Sequence, residues 1–210
     1  MTKMGIFSRA LAAFAALLVA CMLLSSCSVN PKFEVEGKKQ NFSGMSREEL
    51  DKYLTVGKYK GMEISLDGRT AEEAVWDAIL KNCDVHDYPS EHVYYYKNQL
   101  EAQYRYYADL ADISYKEMLK QLGENDATIL RDAKSMTKKD IAYAVIVKLE
   151  NISVSEEEKA SYFDEYVSMY VGEYGYDEKY VRSNMSELIY DSMLYDKTTK
   201  FLISSNTVSE

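Results

Sequence analysis

The two histidines of the chain are its first candidates for chemistry, because a nucleophile or a metal site usually needs an imidazole. His86 and His92 lie six residues apart on either side of Pro89, with Asp84 and Asp87 nearby. That spacing matches no metal-ligand motif and offers no nucleophile for a histidine base. We interpret the group as solvated polar residues at the start of a helix.

Carboxylate pairs are the second candidate, since two acids with separated pKa values can act as general acid and base. Asp109 and Asp112 lie three residues apart on one helix face. No second element is evident that would bury them and raise the pKa of either carboxyl. The run Glu156–Glu158 suits the first turn of a helix, where the macrodipole favours acids. A phosphate-binding glycine loop, a nucleophile elbow and a His-Glu-x-x-His motif are all absent from the sequence. We therefore predict no enzymatic activity, no metal and no cofactor.

Tyrosine is unusually abundant, with nineteen residues in 210. On a helix predicted over 89–112, Tyr95 and Tyr106 fall opposite the face formed by the regularly spaced apolar residues. Exposed tyrosine rings offer adaptable contact area to other polypeptides, and methionine adds soft apolar surface. We predict that Tyr94, Tyr95, Tyr106 and Met118 bind client polypeptides, the alternative being that a second helix covers the two opposed tyrosines. Four further methionines are candidates for the same surface: Met136, Met169, Met185 and Met193.

The first 26 residues have the pattern of an export signal. Lys3 and Arg9 precede an apolar run over 10–24, which is short for a permanent membrane span. The run ends in Leu24-Ser25-Ser26-Cys27, which resembles the bacterial lipobox, whose cysteine receives a diacylglycerol and becomes the mature N-terminus. Cys21 has a similar context but lies inside the apolar run, and an ordinary secretory signal is the other alternative. We predict cleavage after residue 26 and a lipid anchor on Cys27 at the extracytoplasmic face of the cell membrane.

The net charge limits the partners of the chain. The full sequence carries 25 basic and 34 acidic residues, and all the acids lie after residue 26. Phosphate backbones and anionic lipid headgroups repel such a protein. We therefore predict no nucleic-acid partner, and a membrane association that depends on the lipid. With Cys27 acylated, Cys83 is the last thiol of the mature chain, so we expect no internal disulfide and a buried Cys83.

The remaining pattern predicts a mostly all-α protein with long helices and arms after a short extended segment. Nine glycines and two prolines are too few for the many turns of an all-β fold. Residues 27–50 are polar and predict a tether, and residues 51–68 predict a short extended arm, with a strand within 53–64. Residues 69–210 predict one helical domain.

Helix signals are frequent in this domain. Thr70 with Glu73, Ser114 with Glu117 and Ser155 with Glu158 have capping-box spacing. The predicted helices run from Thr70 to about Asn82, over 89–112, from Ser114 to a stop at Gly123, over 127–151, and from Ser155 to about Val171, with a last one through Ile189 and Phe201. The apolar run 141–147 fits a buried helix better than a buried strand, because helix-favouring residues flank it without turn signals.

From Asp87 to the C-terminus the chain resembles the substrate-binding C-terminal domain of trigger factor and the SurA-like chaperones. This range is somewhat over half of the chain. The first matching piece is the start of a long polar-aromatic helix at Tyr88-Pro89. The others are the segments Tyr115–Leu122, Lys148–Glu158, Ser192–Leu202 and Ser205–Glu210. The resemblance implies binding of unfolded or exported polypeptides and assistance in their folding. With no ATP site visible in the sequence, we predict an ATP-independent holdase.

The sequence departs from trigger factor in two respects. The ribosome-docking domain with its Gly-Phe-Arg signature and the prolyl isomerase domain are both missing, so the resemblance implies neither ribosome binding nor isomerase catalysis. Two alternatives remain open. One is an accessory lipoprotein subunit that docks permanently on a single partner, and the other is a degenerate peptidyl-prolyl isomerase.

Overall fold

The computed structural model describes residues 39–210, and helices dominate this range. The mostly all-α class predicted from the sequence is confirmed. The signal peptide 1–26, the lipidation site Cys27 and residues 28–38 of the predicted tether lie outside the described residues. The elements are, in chain order, α1 (Arg47–Leu50), β1 (Leu54–Val56), β2 (Glu63–Ser65), α2 (Ala71–Lys81), β3 (Cys83–Val85), α3 (Ser90–Leu110), α4 (Tyr115–Leu122), α5 (Asp126–Glu150), α6 (Glu156–Tyr174), α7 (Glu178–Asn184), α8 (Ser186–Ser204) and β4 (Thr207–Ser209).

Local capping signals determine where several helices begin and end. Thr70 and Ser155 form complete capping boxes before α2 and α6, and Ser114 accepts a hydrogen bond from the backbone N–H of Glu117 at the start of α4. Helices α4 and α6 end at Gly123 and Gly175, whose φ angles of 73° and 70° are left-handed and suit glycine.

The apolar run 141–147 lies inside the continuous helix α5, so the buried helix is confirmed and the strand alternative is wrong. Ile141, Ala142, Val145 and Ile146 have no exposed surface. A helix that is apolar on several sides is stable only where other elements cover it.

The chain forms two compact units, each made of two separate segments. Unit 1 comprises residues 39–55 and 84–142 of the described range, and unit 2 comprises residues 56–83 and 143–210. Helix α5 contributes its first part to unit 1 and its last part, from Tyr143, to unit 2. The units therefore cut across the expected division into a tether, an arm and one domain over 69–210.

Residues 39–50, which were predicted to belong to a polar tether, are packed in unit 1. Ser46 and Glu49 form a capping box for α1, and Leu50 is completely buried. Phe42 is buried as well, with its ring centroid 4.6 Å from that of His92. The tether assignment is wrong for these residues because a few apolar side chains anchor an otherwise polar segment.

The core of unit 1 lies between α3, α4 and the first part of α5. It is rich in tyrosine, and its buried members are Val93, Tyr95, Tyr96, Leu100, Tyr104, Ile129 and Ala133. Tyr115, Leu119 and Leu122 of α4 pack against this cluster.

In unit 2, residues far apart in sequence meet. Strand β2 pairs in parallel with β4, with Ile64 opposite Val208, so part of the expected extended arm is a sheet strand. Trp76 of α2 lies parallel to Tyr195 of α8 at 6.0 Å between ring centroids, and its indole N–H donates to Thr199 Oγ1 at 3.1 Å. A second cluster joins α6, α7 and α8 through Val167, Tyr170, Val181, Met185, Ile189 and Met193.

Among residues 39–210, no helix combines the length and apolar composition that crossing a membrane requires.

Candidate functional site

A groove between α6 and α8 of unit 2 is the best candidate for a binding site. Its cavity volume is about 530 Å³. The lining residues come from the loop before α6 and from these two helices: Val154, Glu158, Tyr162, Glu165, Tyr166, Met169, Glu173, Met193, Asp196, Lys197 and Lys200.

Helical spacing explains why these side chains share the groove. Along α6 the lining positions Glu158, Tyr162, Tyr166, Met169 and Glu173 recur at intervals of three and four residues, with Glu165 adjacent, which places them on one face. The two helices run antiparallel, since Tyr170 lies beside Ser192 while Tyr166, earlier in α6, lies beside Asp196, later in α8. The short helix α7 connects them and buries Val181 in their common core.

The apolar part of the groove consists of flexible and aromatic side chains. Met193 lies at its base, and Met169 and Val154 are partly buried beside it. Tyr162 is 50% exposed, so a large part of its ring is accessible. Methionine side chains adapt to different shapes, and a tyrosine ring combines apolar area with a polar tip.

Two polar contacts hold the walls of the groove. The Tyr166 hydroxyl donates to Asp196 Oδ2, and burial together with this hydrogen bond raises the pKa of Tyr166. Lys197 Nζ donates to both carboxylate oxygens of Glu158, at 2.7 and 2.8 Å, and to the carbonyl of Ser153 at 2.8 Å. The contact with Lys197 lowers the pKa of Glu158. At neutral pH the groove therefore contains the neutral phenol of Tyr166 and the intact ion pair between Glu158 and Lys197.

The lining carries four carboxylates, on Glu158, Glu165, Glu173 and Asp196, and two lysines, Lys197 and Lys200. Histidine, cysteine and serine do not occur among the lining residues. This set of side chains offers apolar and charged contacts to a bound molecule.

Two of the four predicted client-binding residues are buried, and their assignment as exposed contacts is wrong. Tyr95 is only 7% exposed, and Met118 is 6% exposed. Tyr94 and Tyr106 are exposed, as a client contact requires. They are twelve residues apart on α3, about 18 Å along the helix axis, so they do not form one compact site.

The burial of Tyr95 has a specific cause. The periodicity of α3 predicts a single core face, but the N-terminal half of this helix is covered on two sides. Tyr95 packs with Tyr96, Ile129 and Ala133 in the unit 1 core, and its ring lies 6.4 Å from His92, which contacts Phe42. The segment expected to be a free tether thus covers part of the helix.

The two histidines have separate partners. His86 Nε2 lies 2.8 Å from Thr55 Oγ1, whereas His92 is completely buried and its Nε2 lies 3.0 Å from Asp140 Oδ2. The interpretation of His92 as a solvated residue is wrong, because the chain around Gln40 and Phe42 covers it.

Met169 and Met193 were among the candidate contact residues predicted from the sequence, whereas Tyr162 and Tyr166 were not. A local signal was present, since Tyr162, Tyr166 and Met169 recur at spacings of four and three on α6. The opposing wall on α8 has no such signal, because only the fold brings Asp196 and Lys197 beside them.

No protein-family model matches this chain, and the comparisons with curated proteins and with solved structures give no significant match. The resemblance to trigger factor therefore rests on the quoted segments alone and stays a prediction.

Proposed function

We propose that this chain is an ATP-independent, chaperone-like protein that binds unfolded or exported polypeptides, and that the α6–α8 groove is its client site. In this proposal the lipid on Cys27 holds the protein at the extracytoplasmic face of the membrane. The observation that carries the proposal is the groove itself, with methionines at its base, an accessible tyrosine and charged walls.

The size and chemistry of the groove suit weak and varied contacts. A volume of about 530 Å³ is within the usual range for binding pockets and accommodates several side chains. Adaptable methionine surfaces are typical of proteins that bind many sequences. A binder without a nucleotide site must release its clients by rapid dissociation, and shallow, partly polar contacts favour this.

The net charge of −9 supports the same function. Like charges keep protein complexes apart, so an acidic holdase bound to an apolar client stays soluble.

A light-scattering experiment tests the proposal. A chemically denatured, unrelated protein is diluted into buffer with the mature chain, from position 27 carrying Cys27→Ser, after circular dichroism has confirmed that the chain is helical. We expect suppression of aggregation at near-stoichiometric ratios for several unrelated clients. A folded chain that suppresses none of them would contradict the proposal and favour a subunit with one dedicated partner.

A matched pair of variants tests the assignment of the groove. Tyr162 lines the groove and is 50% exposed, whereas Tyr180 lies outside its lining and is 52% exposed. We expect Tyr162→Ser to raise the concentration needed for half-suppression about fivefold, the size of a moderate hot-spot contact. Tyr180→Ser should leave it unchanged. Equal effects of the two variants would place client binding elsewhere.

A further inference from the structure

The chain segment 39–42 is held on unit 1 by a completely buried histidine. The backbone N–H of Gln40 donates to His92 Nδ1 at 3.0 Å. Phe42 is buried beside the same ring, at 4.6 Å between ring centroids. The next part of the chain is fixed separately, because α1 begins at Arg47 and Leu50 is buried. The hydrogen bond from Gln40 to His92 and the packing of Phe42 against His92 and Tyr53 therefore hold residues 40–42.

The other ring nitrogen of His92 faces a carboxylate. Nε2 lies 3.0 Å from Asp140 Oδ2, which also accepts a hydrogen bond from the Tyr96 hydroxyl at 2.5 Å. Lys39 Nζ lies 3.5 Å from the same oxygen. Because Nδ1 accepts from a backbone N–H, it carries no hydrogen, and the single imidazole proton must be on Nε2, where it donates to Asp140. The observed arrangement thus requires neutral His92 in one tautomer.

A second proton on the ring would act against the contact with the N-terminal segment. It would place an N–H on Nδ1, directed at the N–H of Gln40, so two donors would face each other at 3.0 Å. The groups that face His92 are Asp140 of α5, Lys39 and Phe42 of the N-terminal segment, and Tyr95 and Tyr96 of α3.

Asp140 keeps its charge during this change. Burial alone would raise the pKa of its carboxyl, but the hydrogen bonds from His92 and Tyr96 and the charge of Lys39 outweigh burial and lower the pKa below its ordinary value. The carboxylate therefore retains the protonated imidazole, whereas the N–H of Gln40 loses its acceptor.

We propose that residues 39–45 form a proton-released clasp, which neutral His92 holds on unit 1 and protonated His92 releases. Histidine side chains change charge between about pH 5 and pH 8 in proteins, so a mildly acidic surrounding is the stimulus. Once released, the seven residues 39–45 form up to about 24 Å of extended chain before α1. The clasp does not depend on the proposed client groove, which is lined by other residues.

Hydrogen–deuterium exchange followed by mass spectrometry tests the clasp on the full-length chain. The readout is the protection of a peptide over 39–45 at pH 7.5 and pH 5.5, after correction for the intrinsic exchange rate at each pH. We expect protection to fall about tenfold or more at pH 5.5, while a peptide from α8 keeps its protection. Unchanged protection of 39–45 in the wild-type chain would overturn the proposal.

Two variants separate the clasp from a general effect of acid. His92→Asn retains a side-chain acceptor but cannot gain charge, so its segment should exchange equally at both pH values. Gln40→Pro removes the donor without altering the histidine, so the segment should be unprotected at both. If circular dichroism shows that His92→Asn is unfolded, the result for Gln40→Pro decides whether the proposal holds. A pH response as large as that of the wild type in either folded variant would overturn the proposal.

Discussion

At the scale of single residues, the polar cluster of unit 1 depends on the charge of Asp140. This carboxylate accepts hydrogen bonds from both His92 and Tyr96 in a largely buried position. We predict that Asp140→Asn lowers the free energy of unfolding by about 2 kcal/mol at pH 7, because hydrogen bonds to a charged group are stronger than those to a neutral amide. Urea unfolding followed by circular dichroism measures this difference.

The same variant has a predictable dependence on pH. The folded-state pKa of Asp140 is lowered, so the stabilisation is fully present above the unfolded-state value of about 4 and is lost as the pH falls through the folded-state pKa. The difference between the wild type and Asp140→Asn should therefore shrink as the pH falls below about 4 toward pH 3. A difference that stays constant as the pH falls below about 4 would show that the charge of Asp140 is not what stabilises the fold.

Two neighbouring tyrosines test the boundary between core and surface. Tyr95 is 7% exposed and Tyr94 is 50% exposed. We predict that Tyr95→Ser costs about 3 kcal/mol of unfolding free energy, because it removes a large ring from a packed cluster, whereas Tyr94→Ser changes stability by less than about 0.5 kcal/mol. Chemical unfolding of both variants provides the comparison. Similar costs for the two would contradict the orientation of α3.

At the scale of elements, two glycines with different surroundings should respond oppositely to the same substitution. A Cβ at Gly57 would lie 2.3 Å from the carbonyl oxygen of Asn82, the atom to which the Gly57 N–H donates. At Gly172, inside α6, a Cβ would meet no heavy atom within 4 Å. We predict that Gly57→Ala destabilises unit 2 by more than about 2 kcal/mol, whereas Gly172→Ala stabilises it by about 0.5–1 kcal/mol.

Thermal and urea unfolding of the two alanine variants distinguish these effects. A stabilised Gly57→Ala would mean that the chain around Asn82 can move away without loss. A destabilised Gly172→Ala would mean that this side of α6 is covered.

The elements that the sequence predicts correctly are those with local signals. Capping residues mark the starts of α2, α4 and α6, and Gly123 marks a helix end. Helix α7 was missed because its seven residues carry few apolar positions and depend on the packing of Val181. Strand β4 was missed because its partner β2 lies far away in sequence.

The candidate site was only partly predictable for the same reason. A single helix face can be identified from spacing, whereas Met169 and Met193 were noted only for their residue type. A groove needs two faces, and the sequence does not indicate that α8 lies antiparallel to α6. For α3 the sequence wrongly predicted an exposed face, because the periodicity did not show that Phe42 and the adjoining chain cover His92.

At the scale of the whole molecule, the predicted lipid anchor can be tested independently of the folded part. We predict that Cys27→Ala moves the protein from the membrane fraction to the soluble fraction, since the net charge of the chain gives no attraction to anionic lipids. Cys21→Ala is the matched control and should remain in the membrane fraction. Membrane retention of Cys27→Ala, together with release of Cys21→Ala, would move the acylation site to Cys21.

The interleaving of the two units also imposes an order of events during synthesis. Unit 1 has all its residues once Ala142 has been made, whereas residues 56–83 of unit 2 must wait for the C-terminal segment. At roughly 5–20 residues per second, that wait is on the order of ten seconds. During this time Ile64 and Trp76 lack Val208 and Tyr195, their later neighbours. A chain that stops prematurely near its end would therefore have a complete unit 1 and an incomplete unit 2. The exposed apolar side chains of the incomplete unit would make it susceptible to proteases.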